Sequence, residues 1–444
     1  MITADQQTSW AQQLIAQADT QPTTFSPHWL REVRRSARQA LAEMPVLDRK
    51  LERWRYTSIE NLLKEPLQAP TQPIDLQAVD INQYGLLDFD AYRLVFVNGQ
   101  YAAPLSTDTR LPEGVTLGSL RSALVTDADA LAAWFGQAVH GDEHVFTALN
   151  SALVNDGLFI HVESNVALVK PIEVIYLSQT NDTSLLIQSR NLVVLDAGAK
   201  ATLIERFIGA DGSHYFHNNL TEILVRESAS LNHYRVQEES RSAYHLSSVT
   251  LALDKQSDYH AMTLAFGGGW ARTEYNTIFK QEGAKCNLSG LYTVGDRQLN
   301  DFHLNVEHRV PACVSRAEFK GILYGNGRAV FDGRIVVNKN AQKSDAQLVN
   351  DNLLLTTGAE VDTKPQLEIY ADDVKCSHGT TVGQLDSQQI FYLRSRGIDD
   401  ITARKMLCVG FANEMLQRID IPELHRYVVG KLNDTLDAAA VVPE

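Results

Sequence analysis

Between Leu158 and Asp386 the chain repeats itself. The phrases LDAGAKATLIE, VRESASLNHYR, LDKQSDYHAMT and QEGAKCNLSG share one pattern: two or three turn-forming residues, a small residue, then an alternating strand. The small residue recurs at Ala199, Ala229, Ser257 and Ala284, at intervals of 30, 28 and 27. A period near 28 that holds several short β-branched and aromatic runs predicts stacked coils, because such a unit buries its apolar side only against its neighbours. The expectation is an elongated β-solenoid, which also suits a 444-residue chain too long for one ordinary core.

The flanks read differently. Trp10, Leu14 and Ile15 form one apolar stripe at helical spacing and Trp29, Leu30, Val33 and Ala37 a second, ended by Pro45. Residues 65–80 are rich in Pro and Gln without a period and read as an exposed loop. Tyr92 to Val97 alternate into Asn98-Gly99, a strong hairpin signal, with Tyr101 on the return strand. A helix is expected from Asp127 to Val139, with Leu131, Trp134 and Phe135 facing a core. After Gly383 helices return: one capped by Ser387 and closed by Gly397, one capped by Asp399 or Asp400, and one with Pro422 as its first residue. Three regions follow: 1–150, helical with a hairpin; 151–386, the β core; 387–444, helical.

The chemistry concentrates near the end, in Asp362 to Ile398. Cys376 and His378 stand two residues apart behind Asp372 and Asp373. On a strand, residues two apart project from the same face, roughly 6 to 7 Å from each other, so a thiolate and an imidazole can look into one site. That donor pair suits iron, zinc, copper or an iron–sulfur cluster better than magnesium or calcium. Two ligands leave a site half-built. The rest come from Asp372 and Asp373, from elsewhere in the chain or from a partner; the plain alternative is a buried thiol beside a hydrogen-bonded histidine.

Three segments carry a resemblance. Asp362 to Ile398, Lys364-Pro365-Gln366-Leu367-Glu368-Ile369 within it, and Trp54-Arg55-Tyr56-Thr57 are similar to signature elements of the SufB/SufD family, scaffold proteins of the SUF iron–sulfur cluster assembly machinery. The chain resembles the SufD branch, because SufB members share a cysteine cluster toward the N-terminus and the first cysteine here is Cys286. The resemblance implies a mainly β fold, a right-handed parallel β-helix with α-helical N- and C-terminal regions. It implies a non-catalytic scaffold subunit that pairs with SufB through the ends of the β-cores and works with SufC, an ABC-type ATPase. A transient cluster or iron would sit at the shared junction, with His378 as first candidate ligand, Cys376 as second and Asp372 and Asp373 as weaker iron-binding candidates. SufC would dock on the C-terminal helices, for which Phe391, Leu407, Phe411, Met415 and Tyr427 are the candidates. No tightly bound cofactor is expected of the chain alone, and a homodimer is left open.

Other readings are constrained by charge and motif. With 40 basic and 54 acidic residues the formal charge is −14, which argues against nucleic acid or anionic membrane as a partner. No phosphate loop occurs; Gly267-Gly268-Gly269 reads as a tight corner between coils. The absence of an apolar leader or spanning run points to a cytoplasmic protein, in which Cys286, Cys313, Cys376 and Cys408 are free thiols, all but Cys376 read as core. His214 with His217, and His303 with His308, read as structural. Two alternatives remain: a mononuclear metalloenzyme using Cys376, His378 and an aspartate, and an intracellular carbohydrate-active β-helix enzyme using Asp332, Arg334, Lys339 and Asp345.

Overall fold

Two adjacent residues set each coil of the repeat. Gly198, Ser228, Gln256, Gly283, Ala312 and Lys343 all take left-handed backbone, with φ between 53° and 76°, and each precedes a small buried residue: Ala199, Ala229, Ser257, Ala284, Cys313 or Ser344. The series read from sequence thus gains two members, Cys313 and Ser344. The left-handed residue turns the corner, and the small one is all that the inside of the corner holds. Corners also bond to corners: the amides of Gly198, Ser228 and Ala312 donate to Glu227, Lys255 and Gln342 carbonyls one coil on, at 2.8 to 2.9 Å.

In the computed structural model all residues are described except 1–2, 20–25, 71–75, 77–78, 87–88, 108–109, 140–143, 181–182 and 441–444. The strands are β1 (Tyr92–Val97), β2 (Gln100–Tyr101), β3 (Val115–Ser119), β4 (Leu158–Val162), β5 (Ile172–Ser178), β6 (Leu185–Leu195), β7 (Lys200–Gly209), β8 (Tyr215–Val225), β9 (Ser230–Glu238), β10 (Tyr244–Leu253), β11 (Asp258–Ala265), β12 (Trp270–Phe279), β13 (Lys285–Val294), β14 (Leu299–His308), β15 (Val314–Leu323), β16 (Arg328–Val337), β17 (Asp345–Leu354), β18 (Glu360–Ile369) and β19 (Lys375–Gly383). From β4 onward even-numbered strands stack into one parallel sheet and odd-numbered strands into the other, two strands to a coil. The expected β-solenoid is therefore the fold.

The two ends differ. At the start, β1 pairs in parallel with β5 and turns through Asn98-Gly99, both at positive φ, into antiparallel β2, while β3 runs antiparallel to β4. Reversed strands close that end. At the other end β18 and β19 are the outermost strands of their sheets.

Helices cover both outer faces. The first five are α1 (Ala4–Asp19), α2 (His28–Glu43), α3 (Leu120–Thr126), α4 (Ala128–Trp134) and α5 (Val145–Ala152); the last three are α6 (Ser387–Ser395), α7 (Asp400–Leu416) and α8 (Pro422–Ala440). Trp10, Leu41, Phe146 and Leu149 pack on the even sheet at Leu186, Phe216, Leu246 and Trp270. Cys408, Met415, Leu424, Val428 and Leu432 pack on the odd sheet at Ile204, Val236, Leu264 and Leu291. Strands such as β8 are in consequence buried along both faces, as parallel strands covered by helices are.

Several expectations need correction. The helix predicted over 127–139 ends at Trp134, because Gly136 turns to φ 82° and the Gly136 and Ala138 amides donate to the Glu222 carboxylate instead, at 2.9 and 2.7 Å. Helices α3 and α5 were not foreseen. Asp386, not Ser387, caps α6, accepting from the Gln388 amide. Residues 65–80 are not simply exposed: Leu67 and Val79 are buried and Gln68 bridges to Leu185. Asp399 does cap α7, and Pro422 does open α8.

The Trp54–Thr57 segment has a packing role. Its Trp54 ring lies 3.9 Å from the buried Arg272 guanidinium, which donates to Glu274 at 2.7 Å and Asp301 at 2.8 Å. Thr57 donates its hydroxyl to the same Asp301 at 2.5 Å. Lys364, from the second signature, reaches Glu52, two residues before the first, at 2.7 Å on the outer face of the even sheet.

The inside of the early coils is polar in part. Glu205 accepts from His233 Nε2 at 2.8 Å and Arg235 Nε at 3.1 Å, and the Tyr176 hydroxyl lies 3.2 Å away. Burial would raise the Glu205 pKa, but His233 and Arg235 hold it at about 2.

Candidate functional site

Cys376 and His378 lie on β19, in register with Ala346 and Leu348 of β17. Those two belong to the inward-facing core, and the columns run on down the solenoid: Cys286, Ser315, Ala346, Cys376 in one and Leu288, Ala317, Leu348, His378 in the other. Alternation along the strand therefore gives both candidate ligands the inward positions of the last coil. With no strand stacked beyond β19, positions that are core elsewhere come to the surface here. His378 is exposed and Cys376 half-buried.

Strand β18 completes this open end. Val361, Thr363, Pro365, Leu367 and Ile369 occupy its inward positions, over Ala329, Phe331, Gly333, Ile335 and Val337. Its outward residues are spent in ion pairs: Asp362 with Arg328 at 2.7 Å, Lys364 with Asp332 at 3.3 Å and Glu368 with Arg334 at 2.7 Å. The end is thus an apolar surface, with Ile369, Tyr370 and Val382 exposed, that carries one thiol and one imidazole.

Asp372 and Asp373 are exposed in the turn between β18 and β19. The Asp373 backbone is used by the corner, its amide donating to Gln342 Oε1 and its carbonyl accepting from the Lys343 amide. Among the described residues only one group of three His, Cys, Asp or Glu side chains brings its ligand atoms within 4.8 Å of one another, and it contains none of these four residues. The open end sets Cys376 and His378 on one strand face and does not close a three-ligand set with the aspartates.

Burial raises the Cys376 thiol pKa above its ordinary value, with the Asp345 charge adding to it. The thiol is protonated at neutral pH, and binding a soft ion there must displace its proton. Cys286 and Cys408 are pushed further, to about 12, by deeper burial. Reaction of the folded chain with a chromogenic disulfide reagent is accordingly expected to report Cys376 alone. Its rate should rise with pH from 7 to 9 and disappear in Cys376→Ser. A rate independent of pH over that range would contradict the raised pKa.

The remaining candidates fall apart in space. Met415 is fully buried on the odd sheet, and Tyr427 bonds Glu238 at 2.6 Å with the Arg206 guanidinium 4.4 Å from its ring. Met415 offers no docking surface, contrary to the reading of the helix stripe, and Tyr427 is half-buried. Phe411 lies against Lys320 and Leu407 is half-buried, whereas Phe391 is 74 % exposed. Asp332, Arg334 and Asp345 are each in ion pairs with Lys364, Glu368 and Arg316, so no free pair of carboxylates gathers there. Cys286, Cys313 and Cys408 are core residues as expected, His214 is exposed, and His217, unforeseen as part of any cluster, is buried inside the solenoid. No described helix is long and apolar enough to cross a membrane.

The chain is by class a helix-covered parallel β-solenoid, with one thiol and one imidazole on the outermost strand of its last coil. The sequence matches the family described as SUF system FeS cluster assembly, SufBD core domain, over residues 176–411, and the SufBD protein N-terminal region over 6–174. It is 33% identical over 408 residues to the iron–sulfur cluster assembly protein SufD of Escherichia coli, covering 90% of this chain and 92% of that one. It is 32% identical over 400 residues to an iron–sulfur cluster assembly SufBD family protein of Synechocystis, covering 88% of each. Over 426 residues it is 28% identical to the chloroplastic protein ABCI7 of Arabidopsis thaliana, covering 93% and 87%. The chain belongs to the SufBD family of iron–sulfur cluster assembly proteins.

Proposed function

We propose that the chain acts as a SufD-type, non-catalytic scaffold subunit. It pairs through its open end with a SufB-type subunit and contributes His378, with Cys376 beside it, to a cluster held across the junction. The observation that carries this reading is the placement of both side chains at inward positions of an unstacked last coil. A second solenoid seated on β18 and β19 would continue both sheets, cover Ile369 and Val382 and supply the missing ligands from its own side. The cluster is cargo in this scheme, and an open ligand set lets it leave. The same edge would accept a second copy of the chain when the SufB-type subunit is absent.

An ABC-type ATPase would dock on the C-terminal helices. The face that fits is Phe391 with Tyr392, Ile401 and Met406, the apolar residues that α6 and α7 leave exposed. Of the residues expected there from sequence, Phe391 belongs to this face and Met415, being buried, does not.

Ile369→Lys tests the junction and Phe391→Ala the ATPase contact in one experiment, assembly with SufB-type and SufC-type subunits followed by sedimentation. A charge at an inward edge position is a device that natural sheets use to block pairing. Ile369→Lys is expected to weaken association with the SufB-type subunit at least about 100-fold, and Phe391→Ala to weaken only the ATPase contact. Unchanged assembly with Ile369→Lys would remove the open end from the interface.

A further inference from the structure

Inside the solenoid, away from the open end, His217 on β8 and His245 on β10 are register partners one coil apart. They share strand parity with Ile223, Val225, Leu251 and Leu253 of the core, which gives them inward positions. Glu239, just past β9, enters between them from the other sheet. Its Oε2 lies 2.8 Å from His245 Nδ1 and its Oε1 3.6 Å from His217 Nδ1. All three side chains are buried, and this is the group whose ligand atoms fall within 4.8 Å of one another.

Despite that proximity, His217 Nδ1, His245 Nδ1 and Glu239 Oε1 make no hydrogen bond of acceptable geometry. Buried polar atoms without a well-aligned hydrogen bond are uncommon in native proteins, and here three of them converge, with the imidazoles meeting the carboxylate only as charge contacts, which leaves room for an occupant. Ligands about 2.0 to 2.1 Å from a tetrahedral ion stand about 3.3 Å from one another, and the two observed separations straddle that spacing. The outer contacts are those of a held ligand set. Ser189 Oγ lies 3.0 Å from His217 Nε2, so a proton shared there leaves the Nδ1 lone pair facing the carboxylate. Gln237 Nε2 donates to Glu239 Oε2 at 3.1 Å. Gly267 crowds the Glu239 backbone so closely that a Cβ there would come within 2.4 Å of its amide nitrogen. Phe207 lies 4.9 Å from the His245 ring and 5.6 Å from the His217 ring.

We propose that His217, His245 and Glu239 bind one divalent first-row transition ion, iron(II) or zinc(II), inside the solenoid. Two imidazoles and a carboxylate are a donor set that both ions accept. The site is enclosed, so the ion enters as the coils close and acts as a structural pin between β8, β10 and the β9 corner, separate from any cargo at Cys376 and His378. The competing occupant is a proton on one imidazole, paired with Glu239.

The test is metal content after refolding. The full chain is unfolded in denaturant with chelator, refolded anaerobically with zinc(II) or iron(II), desalted and analysed for metal. About one equivalent is expected to remain in the unmodified chain and in the double variant Cys376→Ser, His378→Ala, which separates this site from the open end. Glu239→Gln keeps the side-chain shape while removing the charge, and is expected to retain at least about ten-fold less metal. The ion retained decides between iron and zinc. Less than about a tenth of an equivalent of either ion in the folded unmodified chain, or equal retention in Glu239→Gln, overturns the proposal in favour of the proton. If refolding yields no folded chain, the same comparison on protein purified from metal-supplemented cells decides it by the same two outcomes.

Discussion

His378→Ala is expected to leave the complex with SufB-type and SufC-type subunits assembled and to strip it of most of its iron and acid-labile sulfide, by at least about ten-fold after anaerobic reconstitution. His378 is exposed on the outermost strand of its sheet, so its removal should change folding stability by no more than about 0.5 kcal/mol. The loss would fall on ligation. In the proposed junction His378 would be the readiest donor on this side, since the Cys376 thiol must first lose a proton and the aspartates stand in the turn. Iron and sulfide measured on the purified complex decide the matter. Full retention in an assembled complex would make His378 a bystander and this chain an architectural partner only.

The largest effect on stability is expected at Glu205. Glu205→Ala removes the carboxylate that His233 and Arg235 both bond, and leaves a guanidinium inside the solenoid with the Ser247 hydroxyl and the Phe207 ring. Breaking a buried ion pair from one side costs about 3 to 5 kcal/mol. The titration of Glu205 gives a similar figure. A pKa held at about 2 against 4.5 corresponds to stabilisation on the order of 3 kcal/mol, fully present above pH 4.5 and lost as pH falls through 2. Denaturant unfolding of Glu205→Ala at pH 7 should show this loss, and the acid side of the unmodified chain's stability profile should be flatter in the variant. A change below 1 kcal/mol would mean that Arg235 finds a substitute partner.

The coil was legible from sequence because it is written locally. A left-handed residue followed by a small one marks every corner from Gly198-Ala199 to Lys343-Ser344. Cys313 was missed because a cysteine stands where alanine or serine had set the pattern, and Ser344 with it, because the series had been broken at Cys313. The predicted helix over 127–139 ran too long because Glu222, more than 80 residues away, takes its last amides. The shared face of Cys376 and His378 was legible by strand parity, and the end of the β core by the return of a helical pattern after Gly383; together they put the pair on the last strand. The polar interior escaped for the opposite reason: His217, His245, Glu205 and His233 are isolated in sequence and meet only through stacking. A signal existed. Glu205 to His233, Ser189 to His217 and Asn191 to Asn219 are each 28 residues apart, the repeat length itself, and polar residues recurring at that interval are the mark of an inward column.

One end of the solenoid is sealed by reversed strands and the other is bare. A stack of parallel strands with two bare ends would be a monomer for a fibre, each chain adding to the last in register without limit. With a single bare end, growth would stop after one step, whichever solenoid is the second. In the proposed assembly the hairpin at Asn98-Gly99, far from Cys376 and His378, would be what limits the product to a counted pair, with one junction and one place for cargo in each.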